Sequence, residues 1–554
     1  MNILSSPVPG SRPRKEEESA ALDRVFGAFL CRTAESRDDA LYALGTELIR
    51  RRREGHSFIF LSPEELSLLE KYPCLTDERN GLLVRDDDKL YLRREFRNEE
   101  SVARAVAGLL KKPLLPGTFT DEEIDSACGK KLNPEQHRAV RNALTRSFAL
   151  ISGGPGTGKS TIIAAVAELE LRQRPRSVIR ITAPTGKAAE LLADDLARVL
   201  PGRNLTTSTL HRLFRGRALT GEFGVDAEDP LECDLLIVDE CSMIPLGAAA
   251  DMFRGLRPET RVVLSGDHRQ LESIESGAVL SELLSARENA PDSLLARAGV
   301  ELTENYRSSA APRIQYLAAE IRRGSLPEEK LRDLLTSENT DDYCFLSGPP
   351  QEKMLETARR CWGELPGTAS TFAPDREEKA FGLLASFRVL TANREGPEGC
   401  GELNRMILRT LGLRSLYAPG SALMVTRNSP AAGLANGDVG IVFAFPDGSA
   451  RIVFRNGRRA FAPHELPPHE SAFATTVHKA QGSGFEELFF LLPREDSPLL
   501  TRELFYTALT RAKKKITVAG KRESVLGALK RKSSRNSCLA RRIIRLLEDE
   551  KNDL

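Results

Sequence analysis

"ISGGPGTGKST", Ile151 to Thr161, holds four glycines, a lysine directly behind the last of them and two hydroxyls behind the lysine. Gly153, Gly158, Lys159 and Ser160 satisfy the spacing G-x-x-x-x-G-K-[ST]; Gly154, Pro155, Gly156 and Thr157 fill the interior and Thr161 follows. Small residues let backbone N–H groups converge on phosphate oxygens at a helix N-terminus. The apolar run "FALIS" precedes the loop and "TIIAAVAELELR" follows it, which is the strand–loop–helix context the motif requires. Lys159 is placed to neutralise the β and γ phosphates of ATP, and Ser160 to ligate Mg2+. The alternative, a glycine-rich turn without a ligand, does not explain the lysine and hydroxyl in that context.

Outward from the loop, short apolar runs alternate with helical stretches: "SFALIS", "SVIRITAP", "DLLIVDE", "TRVVLSGD", then "RVLTAN", "FATTVHKAQG", "LFFLLP" and "KKITVAG". That alternation predicts α/β architecture with parallel sheets covered by helices. Between about 417 and 466, "ALMVTRN", "GDVGIVFAF" and "ARIVFRN" are short strands broken by Gly, Asn and Asp turns, as in a small inserted β-barrel. Upstream, from Ala20 to Lys112, apolar residues recur at helical spacing, with one alternating piece, "LYLRREF" (Leu90 to Phe96), that reads as a strand. The expected organisation is a mostly helical N-terminal domain over 1–115, a first α/β domain over 116–345 and a second over 346–554.

Bulk properties bound the partners. With 554 residues, several domains are expected. A net charge of +2 argues neither for nor against a polyanion, so local charge must decide. The nine cysteines include no CxxC pair, which argues against zinc or iron–sulfur ligation, and their odd number in a long chain argues against a disulfide scaffold. "MNILSSPVPGSRPRKEEES" lacks an apolar core and no run approaches a membrane span, so a cytoplasmic protein without a membrane partner is expected.

Eighty residues after Lys159, "LLIVDECSM" ends an apolar run in Asp239 and Glu240. A carboxylate there can hold Mg2+, and an adjacent one can orient and deprotonate the attacking water. "VVLSGDHRQLESIESG" carries Gln270, whose amide could bond a γ-phosphate and a neighbouring element, or merely sit in a polar turn. "LTENYRSS" carries Arg307 and "YTALTRAKKK" Arg511; each is either a solvated arginine or one of two cations closing a cleft on the γ-phosphate. "LNPEQHRAV" offers Gln136 for the adenine edge. Thr185, Lys187, His211, Thr476, His478, Lys479 and Gln481 are placed in loops and could contact a DNA backbone; singly, each reads more readily as a helix cap or a solvated side chain. Aromatics are 6% of the chain, which favours backbone gripping over base stacking. From Arg511 to Arg542 there are twelve Lys or Arg and one acid, Glu523; the run could face DNA, an acidic protein surface or solvent.

Taken in order, Gln136, Gly153–Ser160, "TAPTGKAA", "TLHRLF", "DECS", "GDHRQL", "ENYR", "TVHKAQGSGF" and "YTALTRAK" resemble the motifs of superfamily 1 DNA helicases over residues 132–520. "NREGPEGCGELN", "TRNSPAAGLANGDVGIV" and "LYLRREFRNEESVA" are similar to the RecD family, the alpha subunits of exodeoxyribonuclease V. That resemblance implies two RecA-like P-loop NTPase domains, an SH3-like barrel inserted in the second, and ATP-driven 5′→3′ movement on single-stranded DNA and at duplex ends in recombination and repair. It implies RecB and RecC as partners, the N-terminal domain docking on RecC and the nuclease site lying in RecB; no nuclease-like cluster is found here. Cys241 departs from the small residue usual after the carboxylates, and is inert packing or a redox-sensitive thiol. The rival readings are a free-standing RecD-like helicase, an RNA helicase of the same superfamily, and a structural subunit that uses nucleotide only as a switch.

Overall fold

The computed structural model describes residues 15–548 apart from 204, 215–223, 227, 274, 307–310, 338, 349 and 456–458. Helices Lys15–Thr33 and Asp39–Arg53 come first, then three short strands among further helices: β1 (Phe58–Phe60), β2 (Leu83–Asp86) and β3 (Lys89–Leu92), in the antiparallel order β1-β3-β2. The expected strand Leu90 to Phe96 is half right. Pairing stops at Leu92, and Arg93–Lys111 is a helix burying Val102, Ala103, Val106 and Leu110 along one face. The helical period of "FRNEESVARAVAGLL" overrides the short alternation because it buries a full stripe, where the alternating piece buries one strand.

Six strands follow: β4 (Phe148–Gly153), β5 (Ile179–Ala183), β6 (Thr207–Thr209), β7 (Leu235–Val238), β8 (Arg261–Gly266) and β9 (Gly299–Leu302). They form one parallel sheet in the order β6-β5-β7-β8-β4-β9. β4, β7 and β8 are buried along their whole length, as strands with helices on both faces must be. One face packs on helices that include Lys159–Gln173, the other on Arg93–Lys111 and Leu246–Arg254. Because β4 and β7 lie on either side of β8, the glycine loop after β4 and the carboxylates after β7 open on the same edge, where ligands bind in open α/β sheets.

The second sheet begins with β10 (Tyr343–Leu346) and β11 (Phe387–Thr391). The chain then leaves it for four antiparallel strands, β12 (Ala422–Val425), β13 (Val439–Ala444), β14 (Ala450–Phe454) and β15 (His469–Ser471), ordered β14-β13-β12-β15 around Leu423, Val442, Ile452 and Phe454. The excursion runs a few residues past the expected limit at 466, because β15 pairs with β12. The sheet resumes with β16 (Ala474–Thr476), β17 (Phe485–Leu491) and β18 (Ala512–Ala519), and its parallel order is β10-β18-β17-β11-β16. The expected boundary at 345/346 cuts this unit: β10 pairs with β18, and helices Pro312–Arg323 and Glu328–Ser337 pack on the helices that flank β18.

The basic run from Arg511 divides: Arg511, Arg531, Arg535 and Arg542 turn inward, and its other eight cations are exposed. Arg531 donates to the carbonyls of Ser497 and Leu500 and pairs with Asp496. Arg535 reaches back to the first half, donating to the carbonyls of Ser273, Glu275 and Gly277 and pairing with Glu272. Asn536 exchanges bonds with His56 and Ser57 beside β1, and Arg542 pairs with Asp86 and with the fully buried Glu99. Helix Leu539–Glu548 then packs on Arg93–Lys111. All nine cysteines are free thiols. Among the described residues no helix is long and apolar enough to cross a membrane.

Candidate functional site

The glycine loop has the backbone its composition demands. Gly156 (φ 83°) and Gly158 (φ 89°) sit in the left-handed region that side chains avoid. A Cβ on Gly158 would also lie 2.5 Å from the Gln136 amide nitrogen. Lys159 opens the following helix, and its Nζ donates to the carbonyls of Gly153 (2.7 Å) and Gly154 (3.2 Å). Thr157 donates through its hydroxyl to the Gly154 carbonyl, Thr161 is buried, and the Ser160 hydroxyl donates to Asp195 at 3.0 Å. Asn305 and Tyr306 lie over the loop: the Asn305 amide donates to the Pro155 carbonyl and the Tyr306 N–H to that of Gly156. Gln136 is buried with its amide engaged at both ends, donating to the Thr157 carbonyl at 2.9 Å and accepting from the Asn133 N–H at 3.0 Å. It therefore braces the loop from behind, and an adenine would have to replace those bonds. Arg307 lies outside the described residues.

Asp239 and Glu240 close β7 on the same edge. Asp239 is buried and accepts from the Ser265 hydroxyl at 2.7 Å. Glu240 is held at φ 50°, uncommon for a residue with a side chain. Burial, then the Asp239 charge, raises its pKa above the usual carboxylate range, while Lys159 and Arg511 pull it down. Cys241 packs beside Gly266, and burial raises its thiol pKa well above the ordinary value, so it stays protonated and unreactive.

Across the cleft stands the second sheet. Arg511 ends helix Arg502–Thr510, is 5% exposed, and donates to the Gln270 amide oxygen at 2.7 Å and to the Ser483 carbonyl. Gln270 in turn donates to Asp267 at 3.2 Å. The Tyr506 hydroxyl donates to the same Asp267 carboxylate at 3.0 Å, and the Leu271 N–H donates to the Thr507 hydroxyl at 2.9 Å. Sequence reading missed Tyr506 and Arg322. A Cβ on Gly154 would meet the Tyr506 hydroxyl at 3.2 Å and the Arg322 guanidinium at 3.5 Å. Tyr506 sits inside "YTALTR" and was within reach of motif reading; Arg322 ends an ordinary amphipathic helix and carries no sequence signal. Together with Arg269 they line a cavity of about 470 Å3 beside the loop.

Six of the seven candidate DNA contacts meet in a second cavity of about 470 Å3 between the two halves: Thr185, Lys187, His211, His478, Lys479 and Gln481. Thr476 stands just behind, its hydroxyl accepting from the Lys479 N–H. Their environments differ. Thr185 caps helix Gly186–Val199, accepting from the Ala188 N–H. Lys187 faces Glu190 at 3.7 Å and Lys479 pairs with Glu470. Burial lowers the pKa of His478, with Arg535 adding to it, and desolvation lowers that of His211 on the rim, with Glu275 opposing. Gln481 donates to the Leu271 carbonyl at 2.7 Å, so it joins the two halves rather than facing the cavity with a free amide.

Two parallel sheets in one chain, a phosphate loop on the first and a buried arginine of the second bonded to Gln270 behind β8, define an α/β helicase fold. The AAA domain family matches residues 131–339, and the UvrD-like helicase C-terminal domain family residues 471–519. The chain is 35% identical over 477 residues to the RecBCD enzyme subunit RecD of Mycolicibacterium smegmatis, covering 82% of both chains. It is 30% identical over 527 residues to that of Haemophilus influenzae, covering 83% of this chain and 80% of the other. With the ATP-dependent RecD2 DNA helicase of Deinococcus radiodurans the identity is 28%, over 82% of this chain and 59% of that protein. A solved structure of Bacteroides Pif1 bound to single-stranded DNA overlaps 70% of this chain and 92% of that one at 18% identity, with a TM-score of 0.38. The chain belongs to the RecD family.

Proposed function

We propose that the chain is the RecD subunit of a RecBCD enzyme: an ATP-driven DNA helicase that moves 5′→3′ along single-stranded DNA and acts on duplex ends together with RecB and RecC, in the cytoplasm. The observation that carries this is the Arg511–Gln270–Asp267 chain, which ties the second sheet to the edge of the first where the phosphate loop lies. Lys159 leaves its own loop carbonyls to neutralise the β and γ phosphates of ATP. Glu240 takes a proton from the attacking water, and its raised pKa makes it the stronger base. Arg511, with Arg307, stabilises charge on the γ-phosphate. Gln270 reports the state of that phosphate to the second half. Gly153–Thr161 hold the phosphates, and Gln136 serves the adenine once its bonds to Asn133 and Thr157 exchange.

Ser160 and Asp239 would hold Mg2+. They supply one hydroxyl and one carboxylate, and no group of three or more ligating side chains occurs among the described residues. Such a sparse set fits an ion that keeps water and shares substrate phosphate oxygens, and Mg2+ would there neutralise charge on the phosphates.

The division into an N-terminal docking domain, two RecA-like domains and an inserted SH3-like barrel is part of this reading. Support for docking comes from Leu22, Val25 and Phe29, exposed along helix Lys15–Thr33 as a surface suited to RecC. The cavity between the halves is the DNA cleft, with Thr185, Lys187, His211, Thr476, His478 and Lys479 as its contacts and Gln481 as the joint. The test is ATP hydrolysis by the purified chain with and without single-stranded DNA across a salt series, then with RecB and RecC added. Stimulation that fades as salt rises is expected. Absence of stimulation in both settings would overturn the motor reading in favour of a nucleotide switch.

A further inference from the structure

Arg388 lies in β11, inside the second sheet, and is 6% exposed. Among the described residues no carboxylate pairs with it, and its Nε is buried without a hydrogen-bond partner. The guanidinium carbon lies 4.8 Å from the centre of the Phe485 ring. Three other arginines turned inward are paired with carboxylates: Arg261 with Glu170, Arg535 with Glu272, Arg542 with Glu99. An ionised group out of water without a counter-charge is costly, so chains rarely keep one without a purpose. Burial alone lowers the Arg388 pKa, to about 10, so at neutral pH it remains a cation.

Its position supplies the purpose. Arg388 borders the cavity between the two halves, which Thr185 and Lys187 of the first half and Phe381, Leu384 and Phe485 of the second also line. Lys479 and Lys187, which line the same cavity, each have a glutamate partner, whereas Arg388 has none among the described residues. We infer that Arg388 is a preformed anion hook for one phosphodiester of single-stranded DNA, its counter-charge delivered by the ligand and its guanidinium held in place by the Phe485 ring. This rests on the DNA-motor reading above and adds a contact on the second half that none of the candidate motifs contains. A planar fork of N–H donors suits a phosphate better than a point charge does, and an apolar wall strengthens the pairing.

The experiment compares wild type, Arg388→Met and Arg388→Lys for binding of labelled oligo-dT across a salt series, alongside thermal unfolding with and without oligo-dT or inorganic phosphate. The expected result is that Arg388→Met binds oligo-dT roughly ten-fold more weakly. Its log–log salt slope becomes shallower by about 0.7, one phosphate contact on a single strand. It melts no lower than wild type without ligand, because removing an unpaired buried charge removes a desolvation cost. Arg388→Lys restores the slope and part of the affinity. Wild-type affinity and slope in Arg388→Met overturn the inference and leave the motor reading standing. Should Arg388→Met fail to fold, Arg388→Lys decides: unchanged affinity overturns the inference, and loss of affinity at an unchanged slope supports it. Stabilisation by inorganic phosphate that equals that by oligo-dT and depends on Arg388 would make this a free-anion site instead. A wild type that binds no oligo-dT, alone or with RecB and RecC, overturns both readings.

Discussion

Glu240 combines a left-handed backbone, an upward-shifted carboxyl and an electrostatic field shared by Asp239, Lys159 and Arg511. Strain and perturbed ionisation at one residue mark chemistry rather than packing. As a base it must be ionised, and its folded pKa lies above the ordinary glutamate value of about 4.3. Hydrolysis should therefore fall as pH drops through a point higher than that, and a pH–rate profile with an acid limb at the ordinary value would contradict the assignment. Glu240→Gln should lower the maximal ATPase rate by on the order of 10²-fold or more while ATP still binds, as measured by steady-state kinetics beside nucleotide titration. Lys159→Gln should abolish hydrolysis and leave the circular dichroism spectrum unchanged, since Nζ bonds only to loop carbonyls. Arg511→Ala should cost about 10³-fold in rate, the scale of an arginine finger, with far less effect on ATP affinity.

At the scale of elements, the C-terminal segment is a strap. Helix Leu539–Glu548 covers two carboxylates: Glu99, fully buried, and Glu282, half-buried and accepting from the Ala540 N–H. Burial, with Glu99 and Glu272 adding to it, raises the Glu282 pKa to about 7. An unfolded chain titrates this group near 4.3, so the folded state holds an extra proton between the two values. The resulting stability is full below about 4.3 and lost as pH rises through about 7. Glu282→Gln should thus raise the urea midpoint at pH 8, by on the order of 2 kcal/mol in stability, with no gain at pH 4. Arg542→Met leaves Glu99 buried without its cation and should cost on the order of 2–3 kcal/mol, read as loss of amide-exchange protection in the strap and in helix Arg93–Lys111.

For the whole molecule, the two halves meet, apart from the C-terminal strap and Arg535, through buried polar contacts that include Arg511 on Gln270, Tyr506 on Asp267, Thr507 on the Leu271 N–H and Gln481 on the Leu271 carbonyl. All four converge on the stretch Asp267–Leu271, which stands between the nucleotide loop and the cavity assigned to DNA. Tyr506→Phe should cut DNA-stimulated hydrolysis by about ten-fold while leaving the fold intact, because one hydrogen bond to a buried carboxylate is lost and the ring stays. Equal stimulation of the variant and wild type would show that this contact does not couple the halves. What the sequence determined alone was local. The glycine loop is legible because positive φ demands glycine at Gly156 and Gly158, and the parallel strands because burial on both faces leaves continuous apolar runs. "LYLRREF" misled because a four-residue alternation and the first turn of an amphipathic helix look alike until the packing partner of Arg93–Lys111 is known. What only the tertiary structure decided is non-local. β10 joins the second sheet by pairing with β18, each residue with one 173 positions further on. Arg535 and Arg542 spend their charge inside the molecule, and Arg388 finds no counter-ion while Arg511 finds Gln270. Each outcome depends on which groups lie within a few ångströms after the chain has closed on itself. The free energy of a buried charge or hydrogen bond is set by those neighbours, and no window of sequence around the residue contains them.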